Sequence, residues 1–229
     1  MQRKAHSAFL LRGLSLLVVD GFFVSNFAGK TPFAAVNLIY PLIMIIGSLG
    51  FVMGTGGSAL VAKKLGEGRN EEANRLFFTC LSATILIGIL SSLAIVFFLP
   101  EIATALGSDE EMLPYCVDYG RILVIGITFF NLQNLFQSFF STSEKPHLGF
   151  FITILAGLVN IILDWVLIPR MGVVGAGIGT ISGQAVGGMV PLVYFFANKT
   201  SLLRLRVYKP DFKAILKMAY NGASEFVNN

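Results

Sequence analysis

The chain has 229 residues, 55% hydrophobic and only 13% charged, with 17 Lys and Arg against 13 Asp and Glu and a formal net charge of +4. A soluble domain carries roughly 25% charged residues, so too little polar surface exists here to wrap a water-soluble fold, and the solvent for most of the chain is lipid. The positive balance does not point to nucleic acid, because the basic residues fall between apolar runs and not on one soluble face.

A membrane-spanning helix needs about 20 mostly apolar residues. Six runs qualify, at 8–28, 33–62, 77–99, 116–142, 148–169 and 173–197, and mean hydropathy over the chain is +0.74. The second and fourth are long for a bilayer and are expected to tilt or project. Turn chemistry separates the runs: Gly29-Lys30-Thr31-Pro32, the polar stretch Lys63 to Arg75, Pro100 to Pro114, Ser143 to Pro146, and Pro169 to Gly172. The alternating ten-residue segments of a membrane barrel do not occur. The expected fold is therefore an all-α polytopic membrane protein of six transmembrane helices.

Cytoplasmic loops are enriched in Lys and Arg. With the N-terminus inside, the inner segments hold thirteen basic residues, among them Arg3, Lys63, Lys64, Arg69, Arg75, Lys145, Arg204, Arg206 and Lys209. The outer loops hold only Lys30 and Arg170, and the loop bearing Glu101, Asp109, Glu110 and Glu111 falls outside. The expected location is the cell (inner, cytoplasmic) membrane, multi-pass, with a cytoplasmic N-terminus. The first run lacks a small-residue cleavage site and carries Asp20, unlike a signal peptide.

Beyond the sixth run the organisation changes. Residues 1–197 form the expected six-helix lobe, 198–213 a basic cytoplasmic linker, and 214–229 the start of a seventh helix that stops before completing a crossing. Many transporters consist of two repeats with the site between them, so a second, C-terminal lobe is the expected partner, alongside the lipid bilayer.

Acids inside apolar runs carry the functional signal. An Asp at mid-bilayer costs about 2.5–3.5 kcal/mol on insertion scales, so it needs a partner or a wet cavity. Asp20 lies in the first run and Asp164 in the fifth. Asn160 precedes Asp164 by one helical turn on the same face, offering a carboxylate and an amide oxygen to Na⁺ or a carboxylate to a proton. The alternative for Asp164 is a cap or anchor near a helix end, since Pro169 follows closely. In the fourth run Asn131, Asn134, Ser138 and Ser141 recur at helical spacing, beside Gln133 and Gln137. They line a substrate path, with Asn37 and Tyr40 as further candidates, or they are hydrogen-bonding glue between helices. Gly175, Gly179, Gly183 and Gly187 recur every four residues in the sixth run, a spacing that favours close backbone packing. Cys80 and Cys116, and the isolated His6 and His147, give neither a disulfide framework nor a metal site. Neither HExxH nor a nucleophile beside a base is present, so an enzyme is not expected.

The run Val19-Asp20-Gly21-Phe22-Phe23-Val24-Ser25-Asn26, followed by Ala34-Ala35-Val36-Asn37-Leu38, resembles the first two helices of multidrug and toxic compound extrusion (MATE) transporters. Gly54-Thr55-Gly56-Gly57-Ser58-Ala59 and Leu65-Gly66-Glu67-Gly68 resemble that family's second helix and following loop. Leu158 to Asp164 resembles its fifth helix, and Gly172 to Thr180 its sixth. The resemblance implies a twelve-helix antiporter of two six-helix lobes, exporting cationic, lipophilic drugs in exchange for H⁺ or Na⁺, without a cofactor. By motif match, its first-lobe cation site falls on Asp20, Asn160, Asp164 and Thr180, and an acid of the seventh helix on Glu225. The chain departs from the family in covering one lobe and a stub, and in a basic Met1 to Arg12 segment before Asp20. A related flippase of lipid-linked saccharides and an inactive membrane fragment are the alternatives. The flippase would favour cavity arginines, for which only Arg12 and Arg121 are available.

The basic-residue bias makes a topological prediction. A cysteine placed at Lys209 is expected to stay unlabelled by an impermeant thiol reagent in intact cells and to react once the membrane is opened. Labelling in intact cells would invert the topology.

Overall fold

The computed structural model describes residues 20–198 and 201–228, with side chains described through 225. Eight helices appear in them. α1 is seen over 20–27; α2 is Lys30–Gly66, α3 Asn70–Ala105, α4 Leu113–Ile125, α5 Ile127–Thr142, α6 Pro146–Met171, α7 Val173–Ala197 and α8 Phe212–Asn228. No strand occurs among the described residues. α2, α3, α6 and α7 are each long and apolar enough to cross a bilayer, and α4 and α5, joined at a bend of 51°, are so together. Most of the expected first span, 8–28, lies outside the described residues.

The helices outrun the apolar runs. α2 and α3 have 37 and 36 residues, about 55 Å at 1.5 Å per residue, against a hydrocarbon core of about 30 Å. The polar stretch 63–75, expected as one long break, is helical except at 67–69. Its charges serve as helix-end partners: Glu71 and Glu72 occupy the first turn of α3, where acids complement the dipole. Lys64 pairs with Glu67 at 3.0 Å, and Arg69 bonds Glu72 through Nε at 2.7 Å. α3 likewise runs through Pro100 to Ala105.

The fourth run is bent into α4 and α5. The break is at Gly126, where an added Cβ would strike the Ile181 side chain of α7, so α7 packs directly against the bend. α8 begins two residues before the expected Ala214, because the Asp211 carboxylate accepts from the backbone N–H groups of Lys213 and Ala214 (3.0 and 3.2 Å), an N-cap.

The two ends of the bundle are chemically distinct. Thr31 donates to Glu111 at 3.1 Å, bringing the α1–α2 turn to the acidic loop. At the other end, the Arg204 N–H donates to Asn74 Oδ1 at 2.8 Å, tying the 201–211 segment to the start of α3. Two apolar cores fill the interior. One, near the acidic end, includes Val36, Ile39, Tyr119, Leu123 and Ile168; the other, near the basic end, packs Phe77, Phe136, Phe139, Phe140 and Phe195. Large apolar side chains such as Phe97 and Trp165 remain exposed on the outside, as a lipid-facing surface requires.

α8 packs on α2 with almost nothing between the backbones. A Cβ at Gly56 would collide with the Met218 carbonyl, and one at Gly222 with that of Val52. Gly56→Val is expected to lower the thermal unfolding midpoint in detergent by the equivalent of about 1–3 kcal/mol of overpacking. Gly66→Ala, facing open space on the same helix, is expected not to lower it. Equal effects would remove the contact as the cause.

Candidate functional site: a buried acid pair between α1, α4, α6 and α7

The site begins with the α6–α7 hairpin. Gly172 turns the chain at φ 57°, a left-handed value that favours glycine. α7 then returns along α6 with its glycines inward. A Cβ at Gly175 would meet the Leu167 backbone, one at Gly183 would meet Ala156 O at 2.7 Å, and one at Gly179 would occupy the place of Asp164 Oδ1. The ladder is therefore a packing device, as its spacing suggests, and it also houses the acid: Asp164 lies in the notch of Gly179.

Four residues named by the sequence meet here. Asp20, Asn160, Asp164 and Thr180 are 1%, 2%, 0% and 6% exposed. Asn160 Nδ2 donates to Asp164 Oδ2 at 3.3 Å, as the one-turn spacing dictates. Asp20 is buried beside Asp164 and Asn160. Thr180 Oγ1 is 2.9 Å from Asp20 Oδ2 and 2.9 Å from Ala176 O. The hydroxyl has one proton for two acceptors, so both contacts are hydrogen bonds only when Asp20 carries a proton and donates to Oγ1. The capping alternative for Asp164 does not describe this geometry, since its side chain is engaged by Asn160 and α1.

Sequence reasoning missed Tyr119. It is fully buried on α4, facing Asp20, Asp164 and Thr180. The available signal was a tyrosine in an apolar run, whose hydroxyl must find a polar neighbour when buried.

The cluster is under-satisfied. Asp20 Oδ1, Asn160 Oδ1, Asp164 Oδ1 and the Tyr119 hydroxyl are buried with no hydrogen-bond partner. An unsatisfied buried polar group costs about 1–3 kcal/mol, so several in one place call for a ligand. Two facing carboxylates cannot both stay bare in a dry site; a proton or a cation has to lie between them. The oxygen-only donor set fits a proton or a hard monovalent cation. Among the described residues no group of three or more His, Cys, Asp or Glu could hold a metal ion.

The remaining candidates lie elsewhere. Asn134 is buried and donates to Gly47 O at 3.3 Å. The Asn131 amide, oriented as its surroundings require, donates to Ile46 O and Gly47 O at 3.2 and 3.3 Å. Both are in the gluing position between α5 and α2, where Gly50 also rests on the Asn131 backbone. Gln137 donates to Thr153 on α6 at 2.7 Å. Ser138 and Tyr40 are half-buried, and Asn37 is exposed, donating to Phe33 O at 2.8 Å. Glu225 is half-buried on α8, which packs on α2 and α3 and not on the α6–α7 hairpin.

Lipid-length helices enclosing a polar, partly unsatisfied cluster define a polytopic α-helical membrane protein with an internal site. Residues 12–166 match the MatE family model. The multidrug export protein MepA of Staphylococcus haemolyticus is 23% identical over 226 residues, 93% of this chain and 50% of MepA. An FAD transporter of Shewanella oneidensis is 30% identical over 175 residues, 73% of this chain and 38% of that protein. The fold is similar to the inward-facing conformation of a multidrug resistance MATE family transporter of the MOP superfamily, with TM-score 0.86 and 20% identity, over 92% of this chain and 49% of that one. The chain belongs to the MatE family of membrane transporters and spans about half the length of the curated relatives it matches.

The Thr180–Asp20 bond makes a stability prediction. Thr180→Val keeps the shape and removes the hydroxyl, and is expected to cost about 1–3 kcal/mol by leaving Asp20 less satisfied. Thr180→Ser is expected to keep most of it. Thermal unfolding in detergent compares the two, and a Val variant as stable as wild type would discount the bond.

Proposed function

We propose that this lobe carries the ion-coupling site of a MATE-type secondary exporter, which expels small cationic, lipophilic compounds in exchange for H⁺ or Na⁺. The observation that carries the reading is the acid pair Asp20 and Asp164 with three orphaned carboxyl and amide oxygens around it. An ion entering the cluster satisfies those oxygens. An ion leaving restores two like charges in contact, which favours a different arrangement of α1 against the α6–α7 hairpin. An ion shifts such an equilibrium only by its differential affinity for the two arrangements, and the unsatisfied oxygens supply that difference.

In this reading Asp20 and Asp164 take the ion, Asn160 contributes its amide oxygen, and Thr180 and Tyr119 complete the shell. Glu225 acts apart from this site. The substrate passes between this lobe and a second one, along a face that includes Asn37 and Tyr40, with the basic end of the bundle in the cytoplasm. The flippase alternative, which needs arginines toward an anionic pyrophosphate, has less support: Arg121 is exposed on α4, and Arg12 lies outside the described residues.

Asp164→Asn keeps size and removes ionisation. In liposomes holding the full two-lobe protein under an imposed Na⁺ or H⁺ gradient, this variant is expected to reduce gradient-dependent transport of a fluorescent cation to background, with an unchanged gel-filtration profile. Undiminished gradient-driven transport would refute the coupling role.

A further inference from the structure

At the basic end, outside the membrane-spanning segments, a cleft of about 490 Å³ opens between the first turns of α3 and the segment that follows α7. Its size falls in the ~300–1,000 Å³ range of small-molecule sites. Asn70, Glu71 and Asn74 line it from α3, and Ser201, Arg204 and Arg206 from the opposite side. We propose that this cleft binds a phosphate group, carried by a phospholipid headgroup of the adjoining leaflet or by free phosphate. The proposal does not depend on the export reading.

Three independent features converge on an anion. The first is charge. Lys64 and Arg69 are neutralised by Glu67 and Glu72, whereas Arg204 and Arg206 enter no ion pair among the described residues. Two guanidinium forks suit the paired oxygens of a phosphate. Glu71 opposes them, but its side chain is exposed and the lining stays net positive.

The second is an unmet donor. Ser201 is only 7% exposed, and its Oγ has no hydrogen-bond partner although it lines the cleft. A buried hydroxyl without a partner is costly unless a ligand completes it.

The third is the backbone. α3 starts here with no side-chain cap from Arg69, so its first N–H groups lack helical partners and are available to donate. Asn74 spends its Oδ1 on the Arg204 N–H at 2.8 Å, which fixes the segment on α3 and leaves the amide NH₂ to donate. Leu202, on the cleft wall, is 49% exposed and Val207 86% exposed, which suits the apolar part of a lipid next to the headgroup.

Native mass spectrometry of the detergent-purified protein tests this, with phosphatidylglycerol, diacylglycerol of the same chains, and inorganic phosphate as probes. Phosphatidylglycerol is expected to bind and diacylglycerol not. Loss of charge-assisted hydrogen bonds in Arg204→Gln/Arg206→Gln is expected to weaken binding at least about tenfold, with a smaller loss in Ser201→Ala. Lys63→Gln/Lys145→Gln, at the same end but off the cleft, is expected to match wild type. If the double arginine variant does not fold, Arg206→Gln alone, an exposed position, gives the same comparison. Displacement of the lipid by millimolar phosphate, lost in the arginine variants, identifies free phosphate as a competent source; lipid binding that resists phosphate identifies the headgroup. Binding of neither probe, or equal loss in the lysine variant, overturns the proposal.

Discussion

The missing side chain at Gly179 is the constraint on which the site depends. The Asp164 carboxyl lies where a Cβ would be, so α7 lies directly against α6 at the depth where the acid is buried. The same ladder presses Gly175 onto the Leu167 backbone and Gly183 onto Ala156. Helices in lipid gain little from apolar burial against each other and associate by close packing and hydrogen bonds. The hairpin meets both terms at once: glycine contacts hold the backbones together, and Asn160, Asp164 and Thr180 supply the polar contacts in the seam. Asp20 reaches the seam from α1, so the first helix is tied to the hairpin through the Thr180 hydroxyl.

Much of this was legible from residue type because lipid is an unforgiving solvent. Six apolar runs were visible, and the five that fall on described residues became helices in the expected order. Asp20 and Asp164 stood out because an acid in an apolar run has to be explained, and Asn160 because it sits one turn from Asp164. Thr180 was different. Nothing local distinguishes its hydroxyl from other threonines, and it came only from the resemblance. Tyr119 was missed because a tyrosine in an apolar helix is chemically unremarkable until its neighbours are known.

Other misses share one cause, which is that long-range contact decides local shape. The bend at Gly126 has Ile181, distant in sequence, packed against it. The polar stretch after α2 looked like a loop because it is charged, yet the charges pair with each other and sit at helix ends, so helix continues through them. The amides of α5 could not be assigned from spacing alone: a helical row of Asn and Gln is compatible with a wet path or with bonding to another helix. In the fold the carbonyls of Ile46 and Gly47 accept from Asn131 and Asn134, and those carbonyls are accessible because Gly47 and Gly50 let α5 approach α2.

The glycine contacts also divide the chain by how freely it can drift through generations of mutation. Outward positions such as Phe97, Phe196 and Trp165 need only be apolar, so lipid accepts many replacements there. A homologue can therefore differ at roughly four positions in five, as the solved structure with 20% identity does, and keep the fold. Gly179 and Gly56 are under a harder rule, because the smallest possible enlargement meets a carboxyl oxygen in one case and a peptide carbonyl in the other. At Gly56 the obstacle is backbone, which no side-chain change nearby moves; at Gly179 a larger residue has to displace the Asp164 carboxyl itself. Ancestry in this fold is therefore recorded less in its bulky residues, which lipid lets vary, than in the places where a residue has almost nothing to lose.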